Sequence, residues 1–145
     1  MDSKPSLQPE HVVLRVANDR AQISAAESRL LEALERFAYA KPSRFAVRLA
    51  LEEALTNAFR HGHRGLPRDT PATLELTVGP DQVTICVEDQ GSGFKPDEVP
   101  DPTLDENLDK PAGRGLMLMR AYMASINYNA KGNRVTLVYQ RPTKP

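Results

Sequence analysis

The spacing of apolar positions changes several times along the chain, and each change marks an expected element. Residues 11–16 (HVVLRV) are short and β-branched, which predicts a strand. Over residues 21–40, Ile23, Ala26, Leu30, Leu34, Phe37 and Ala38 follow a helical period. Pro42-Ser43 interrupts it, and Ser43 is expected to N-cap a second helix running to about His61 and stopping at Gly62. Residues 66–71 read as a loop. Strands are expected at 73–78 and 83–88, across the turn Gly79-Pro80-Asp81-Gln82. Residues 91–113, with Pro96, Pro100, Pro102 and Pro111, read as a long loop, a kind that is usually functional or disordered. A short apolar helix from Gly115 to about Ala124 and a hairpin of residues 125–129 and 135–140 follow. Grouped strands with few βαβ units argue for an α+β fold. The expected form is a two-layer sandwich with helices on one face of a mixed, mostly antiparallel sheet. The expected organisation is one domain over residues 11–141 behind a loose tail at 1–10.

The second helix carries more than a core face. Val47, Leu51, Ala54, Leu55 and Ala58 fall in one sector, as a buried stripe should. Glu53, Asn57 and His61 are spaced by four and stack on another, flanked by Ala46 and Ala50. A carboxylate and an amide oxygen one turn apart can serve a general base and a hard cation. A solvated helix face would carry the same pattern.

Two glycine motifs follow. Asp89-Gln90-Gly91-Ser92-Gly93-Phe94 places a carboxylate at a strand end, with glycines that permit close backbone approach. That carboxylate can accept a hydrogen bond from an exocyclic amine such as adenine's; a plain turn would look similar. Gly113-Arg114-Gly115-Leu116 opens a helix, where free N–H groups and one Arg favour an anion; a hinge is the bland alternative. Neither run is a P-loop or a dinucleotide fingerprint, and the protein-kinase motif set is missing.

Composition narrows the classes. Nineteen Lys plus Arg balance nineteen Asp plus Glu over 145 residues, which argues against a strongly basic nucleic-acid binder. The balance is uneven: residues 66–110 carry three basic and eleven acidic groups, and residues 111–145 carry six basic and none acidic. One cysteine, Cys86, excludes an internal disulfide and reads as core. His61-Gly62-His63 reads as a helix terminus rather than a metal site. No apolar run is long enough for a membrane span and no signal-peptide core opens the chain, so a cytoplasmic protein is expected.

Together the motifs resemble the GHKL ATPase superfamily, the fold shared by gyrase, heat-shock chaperones and histidine kinases. More closely, residues 51–58 (LEEALTNA) with His61-Gly62, 101–108 (DPTLDENL) and 113–120 (GRGLMLMR) resemble bacterial anti-sigma factor serine/threonine kinases. The resemblance implies a Bergerat-type ATP-binding fold with ATP and Mg²⁺ as cofactors. It implies that Asn57 holds Mg²⁺, Glu53 is the general base, and Asp89 reads the adenine amine with Gly91, Gly93 and Phe94 beside it. Gly113, Arg114, Gly115 and Leu116 would wrap the phosphates, and residues 94–112 would form the ATP lid. His61 joins the nucleotide-side set. Where the superfamily often opens its last strand with Gly-Thr, this chain has Gly132-Asn133 and then Thr136, so Asn133 and Thr136 are the adenine-side candidates there. The implied partners are a sigma factor or similar regulatory target and a small anti-anti-sigma-type antagonist with a phosphoacceptor serine. Relatives are often dimeric, so a homodimer is a further expectation; direct contact with nucleic acid or membrane is not expected. Two other functions stay open: a nucleotide-binding regulatory module without phosphotransfer, and a stand-alone GHKL ATPase or histidine-kinase-like catalytic domain.

Overall fold

Alternation along the strands gives the sheet one apolar face, and the helical period gives two helices a matching stripe. The structure, a computed structural model, describes residues 8–91 and 120–142. Its elements are β1 (Glu10–Val16), α1 (Arg20–Arg36), α2 (Lys41–Asn57), β2 (Ala72–Val78), β3 (Gln82–Glu88), β4 (Ser125–Tyr128) and β5 (Arg134–Gln140). The strands lie in the order β1-β2-β3-β5-β4. Every neighbouring pair is antiparallel, so the expected mixed sheet is antiparallel throughout among the described residues.

Central β3 organises the core. Val83, Ile85 and Val87 stand opposite Val78, Leu76 and Leu74 of β2, and opposite Tyr139, Leu137 and Val135 of β5. All nine are buried, together with Leu30 and Leu34 of α1 and Val47, Leu51 and Leu55 of α2. Each large aliphatic side chain so buried contributes roughly 1.5–3 kcal/mol. The opposite face of β3 and β5 carries Cys86 and Thr136, whose Sγ and Oγ1 lie 3.0 Å apart.

Several boundaries differ from expectation, and four of them have a local reason. β1 begins at Glu10, inside the expected tail, where the Glu10 carboxylate accepts two hydrogen bonds from Arg36 at 2.7 and 2.6 Å. Helix α1 ends at Arg36 rather than Ala40 because Ala38 takes a left-handed conformation, φ 57°. The Tyr39 N–H returns to the Leu34 carbonyl and the Ala38 N–H to the Glu35 carbonyl, a Schellman cap with alanine at the usual glycine position. Burial of Tyr39 compensates: it is 3% exposed, its hydroxyl donates to the Gly79 carbonyl at 2.6 Å, and Arg141 covers its ring.

Ser43 does not cap α2. The helix starts at Lys41, with Ala40 at the N-cap position and Pro42 in the first turn, where its fixed φ suits a helix. Ser43 is inside and buried, its hydroxyl 2.7 Å from that of Tyr139. At the other end the α-helix stops at Asn57 and widens into a π turn, Ala58–Gly62, closed by the His63 N–H on the Ala58 carbonyl at 2.9 Å. Of the helix expected at 115–124, Arg120, Ala121 and Tyr122 are described and helical. Met123 and Ala124 are described and not helical, so this helix ends at Tyr122; residues 115–119, with residues 92–114, lie outside the described residues.

The Ala38 cap can be tested directly. Ala38→Gly is expected to stabilise the fold by roughly 0.5–1 kcal/mol, since left-handed strain outweighs glycine's extra chain entropy. Urea unfolding of the two proteins measures it, and a destabilised variant would contradict the cap assignment.

Candidate functional site

Three segments meet at one end of the sheet: the last turn of α2 with its π turn, the end of β3, and the β4–β5 turn. They enclose a cavity lined by Ala54, Asn57, Asp89, Tyr128, Gly132 and Asn133, with Val87 and Val135 among the apolar walls. Asn57, Asp89 and Asn133, far apart in sequence, therefore face one space.

Asp89 is the focus. It is only 6% exposed, directly after the central strand. Its N–H donates to the Asn133 carbonyl at 2.8 Å, and Asn133 Nδ2 donates back to the Asp89 carbonyl at 3.2 Å. Its Oδ1 accepts from the Gly91 N–H at 2.9 Å. Burial raises the Asp89 carboxyl above its ordinary range, opposed first by that Gly91 bond. Two glycines make room for it. A β-carbon on Gly62 would collide with the Asp89 carboxylate, and one on Gly91 would collide with the Gly62 carbonyl. Gly91 thus permits the close approach its motif implies, while the partner glycine, Gly62, comes from the helix side.

The β4–β5 turn is equally fixed. Asn129 Oδ1 accepts from the consecutive amides of Gly132, Asn133 and Arg134 at 2.8, 3.1 and 3.2 Å. Asn129 Nδ2 donates to Asn133 Oδ1 at 2.8 Å. The Asn133 side chain is thereby committed to the turn and to Asp89.

Glu53 lies one turn before Asn57 on α2, half-buried. Burial raises its carboxyl above the usual range, Glu52 adds to the effect, and Arg60 opposes it. Among the described residues no cluster of three His, Cys, Asp or Glu could hold a metal, so a cation here would draw on the Asn57 amide oxygen and on its ligand.

Not every expected residue joins. His61 sits in the π turn, exposed, and does not line the cavity. Thr136 turns to the open face of the sheet, toward Cys86, away from Asp89; alternation from inward-facing Leu137 requires this. Gly93, Phe94, Gly113, Arg114, Gly115 and Leu116, and the expected lid, lie outside the described residues. Sequence reasoning missed the Tyr128 and Gly132 walls and read His63 as a mere terminus, although it is 7% exposed and bonded to Gln90.

Residues 16–139 match the family of histidine kinase-like ATPase domains. The chain is 34% identical over 104 residues to a protein named serine/threonine-protein kinase BtrW from Bordetella bronchiseptica, covering 65% of this chain and 68% of that one. Two proteins named anti-sigma F factor are also similar. That of Clostridium perfringens is 28% identical over 98 residues, spanning 66% of this chain and 69% of its own. That of Clostridium beijerinckii is 29% identical over 98 residues, spanning 66% and 68%.

The buried Asp89 charge makes a stability prediction. A carboxyl raised in the folded state favours folding when protonated, and that advantage is lost as pH rises through its range. Asp89→Asn keeps an acceptor for Gly91 without the charge. Its urea midpoint should equal or exceed wild type at pH about 7, with the gain vanishing at about pH 3 as Asp89 itself is neutralised. A variant less stable at neutral pH would contradict this.

Proposed function

The chain belongs to the histidine kinase-like ATPase domain family, and from that premise we propose that it is an ATP-dependent anti-sigma serine/threonine kinase working by partner switching. One observation carries the reading to these residues. Asn57 shares a cavity with Asp89, and Glu53 stands one helical turn from Asn57. That spacing suits a base and a phosphate-side ligand in line from an adenine-side carboxylate.

In this reading Asp89 accepts the adenine amine, and the apolar walls Ala54, Val87 and Val135 cover the base. Mg²⁺ suits the Asn57 amide oxygen, a hard neutral ligand; when bound it would neutralise phosphate charge. Glu53 takes the proton of the acceptor serine hydroxyl. Its raised affinity for a proton makes it a better base once ionised. The phosphate-wrapping role of Gly113, Arg114, Gly115 and Leu116 rests on the sequence resemblance. The partners are a sigma factor, as the names of the anti-sigma relatives suggest, and a small antagonist that supplies the serine, as the sequence resemblance implies. No helix among the described residues is long and apolar enough to cross a membrane.

Mg-ADP at millimolar concentration should raise the melting temperature of the wild-type protein and of Glu53→Ala alike. Glu53→Ala should lose phosphotransfer to the antagonist by roughly 10²–10⁴-fold. Absence of any thermal shift would overturn the nucleotide site; normal transfer by the variant would overturn the base. The pH profile offers a separate check. Glu53 acts ionised, so transfer should fall on acidification through a range above that of an ordinary glutamate. Glu52→Gln should move that limb to lower pH and Arg60→Gln to higher pH.

A further inference from the structure

We infer that His63 is a positioning residue for nucleotide selectivity, holding the Asp89–Gly91 turn through the Gln90 amide so that the Asp89 carboxylate faces the 6-amino group of a purine. This rests on the reading of Asp89 as the adenine-side acceptor.

The backbone of that turn leaves little freedom. Its three consecutive amides all have acceptors: the Asp89 N–H on the Asn133 carbonyl, the Gln90 N–H on His63 Nε2 at 3.0 Å, and the Gly91 N–H on Asp89 Oδ1. The first two tie the turn to distant segments, and the third is internal to it. Only the Gln90 bond reaches back to the helix layer. The imidazole supplying it is buried, the backbone N–H of the same residue is bonded to the Ala58 carbonyl, and the ring lies 5.7 Å from that of Phe59.

An accepting Nε2 carries no proton, so the ring proton sits on Nδ1. The neighbouring residue completes the device. Gly62 abuts the Asp89 carboxylate, so the dipeptide Gly62-His63 supplies both the wall behind that group and the acceptor for the next amide. Without the acceptor, the Gln90 N–H is a part-buried donor that must find another partner. The 89–90 peptide then rotates and carries the carboxylate with it. Glu53 and Asn57, on α2, are untouched by that rotation, so the loss falls on nucleotide binding and not on the chemical step.

Calorimetric titration with ADP and with IDP, whose 6-oxo group presents an acceptor to Asp89, tests this. The wild type should prefer ADP. His63→Phe keeps an aromatic ring without an acceptor. It should lose roughly tenfold or more in ADP affinity with IDP affinity little changed, and KM for ATP should rise while kcat holds. His63→Gln, whose amide oxygen can accept, should restore most of the preference. Retention of wild-type discrimination by His63→Phe would overturn the inference, as would an equal loss in His63→Gln.

Should His63→Phe not fold, the wild-type protein decides. A ¹⁵N–¹⁵N coupling across the bond from Gln90 N to His63 Nε2 supports the inference and its absence overturns it. A wild type that binds ADP and IDP equally would instead remove the adenine role of Asp89, and with it this inference. One that binds neither would remove the nucleotide site as a whole.

Discussion

Gly62 meets the Asp89 carboxylate with no side chain between them, and the candidate site is arranged around that contact. The helix layer and the sheet can come this close only because α2 abandons α geometry after Asn57 and widens into a π turn. The wider turn delivers a glycine to the end of β3 and the buried imidazole of His63 just beyond it. Asp89 pays a desolvation cost for its position, seen in its raised proton affinity. That cost is tolerated because neighbouring backbone holds the residue on several sides.

The sheet makes such a position sustainable. β3 is paired along its length on both sides, so the residue that leaves its end inherits a rigid base. The helices are tied to that base by apolar burial and by a few polar bonds placed inside it, such as Ser43 to Tyr139 between α2 and β5. The two acidic groups with raised proton affinity at the site, Glu53 and Asp89, come from the two different layers. Their separation is set by helix–sheet packing rather than by any loop among the described residues.

Much of this was legible in the chain itself. Period-two and helical patterns placed all seven described strands and helices, because burial of one face imposes those periods. The four-residue spacing of Glu53 and Asn57 foretold a shared helix face, and Asp89 at a strand end foretold its place. The misreadings have physical causes. A π turn has no residue preference strong enough to announce itself, so His61 looked like a continuation of the stripe. Ser43 satisfies the usual capping rule, but a tyrosine ninety-six residues away claims its hydroxyl. Ala38 gives no warning of a left-handed conformation that glycine normally signals. Thr136 resembled a site residue by analogy, although its parity with Leu137 already put it on the other face.

The saturation of the Asp89–Gly91 amides has a consequence for how much information the proposed adenine wall can hold. With the N–H groups of Asp89, Gln90 and Gly91 all engaged within the protein, none is left to meet a ligand's edge. One oxygen of the carboxylate is also occupied, by Gly91. Among the described residues the Asp89 carboxylate keeps its other oxygen, Oδ2, as an acceptor with rigid surroundings behind it. In the proposed reading, that oxygen registers whether a donor stands opposite it, and little else about the base that carries the donor.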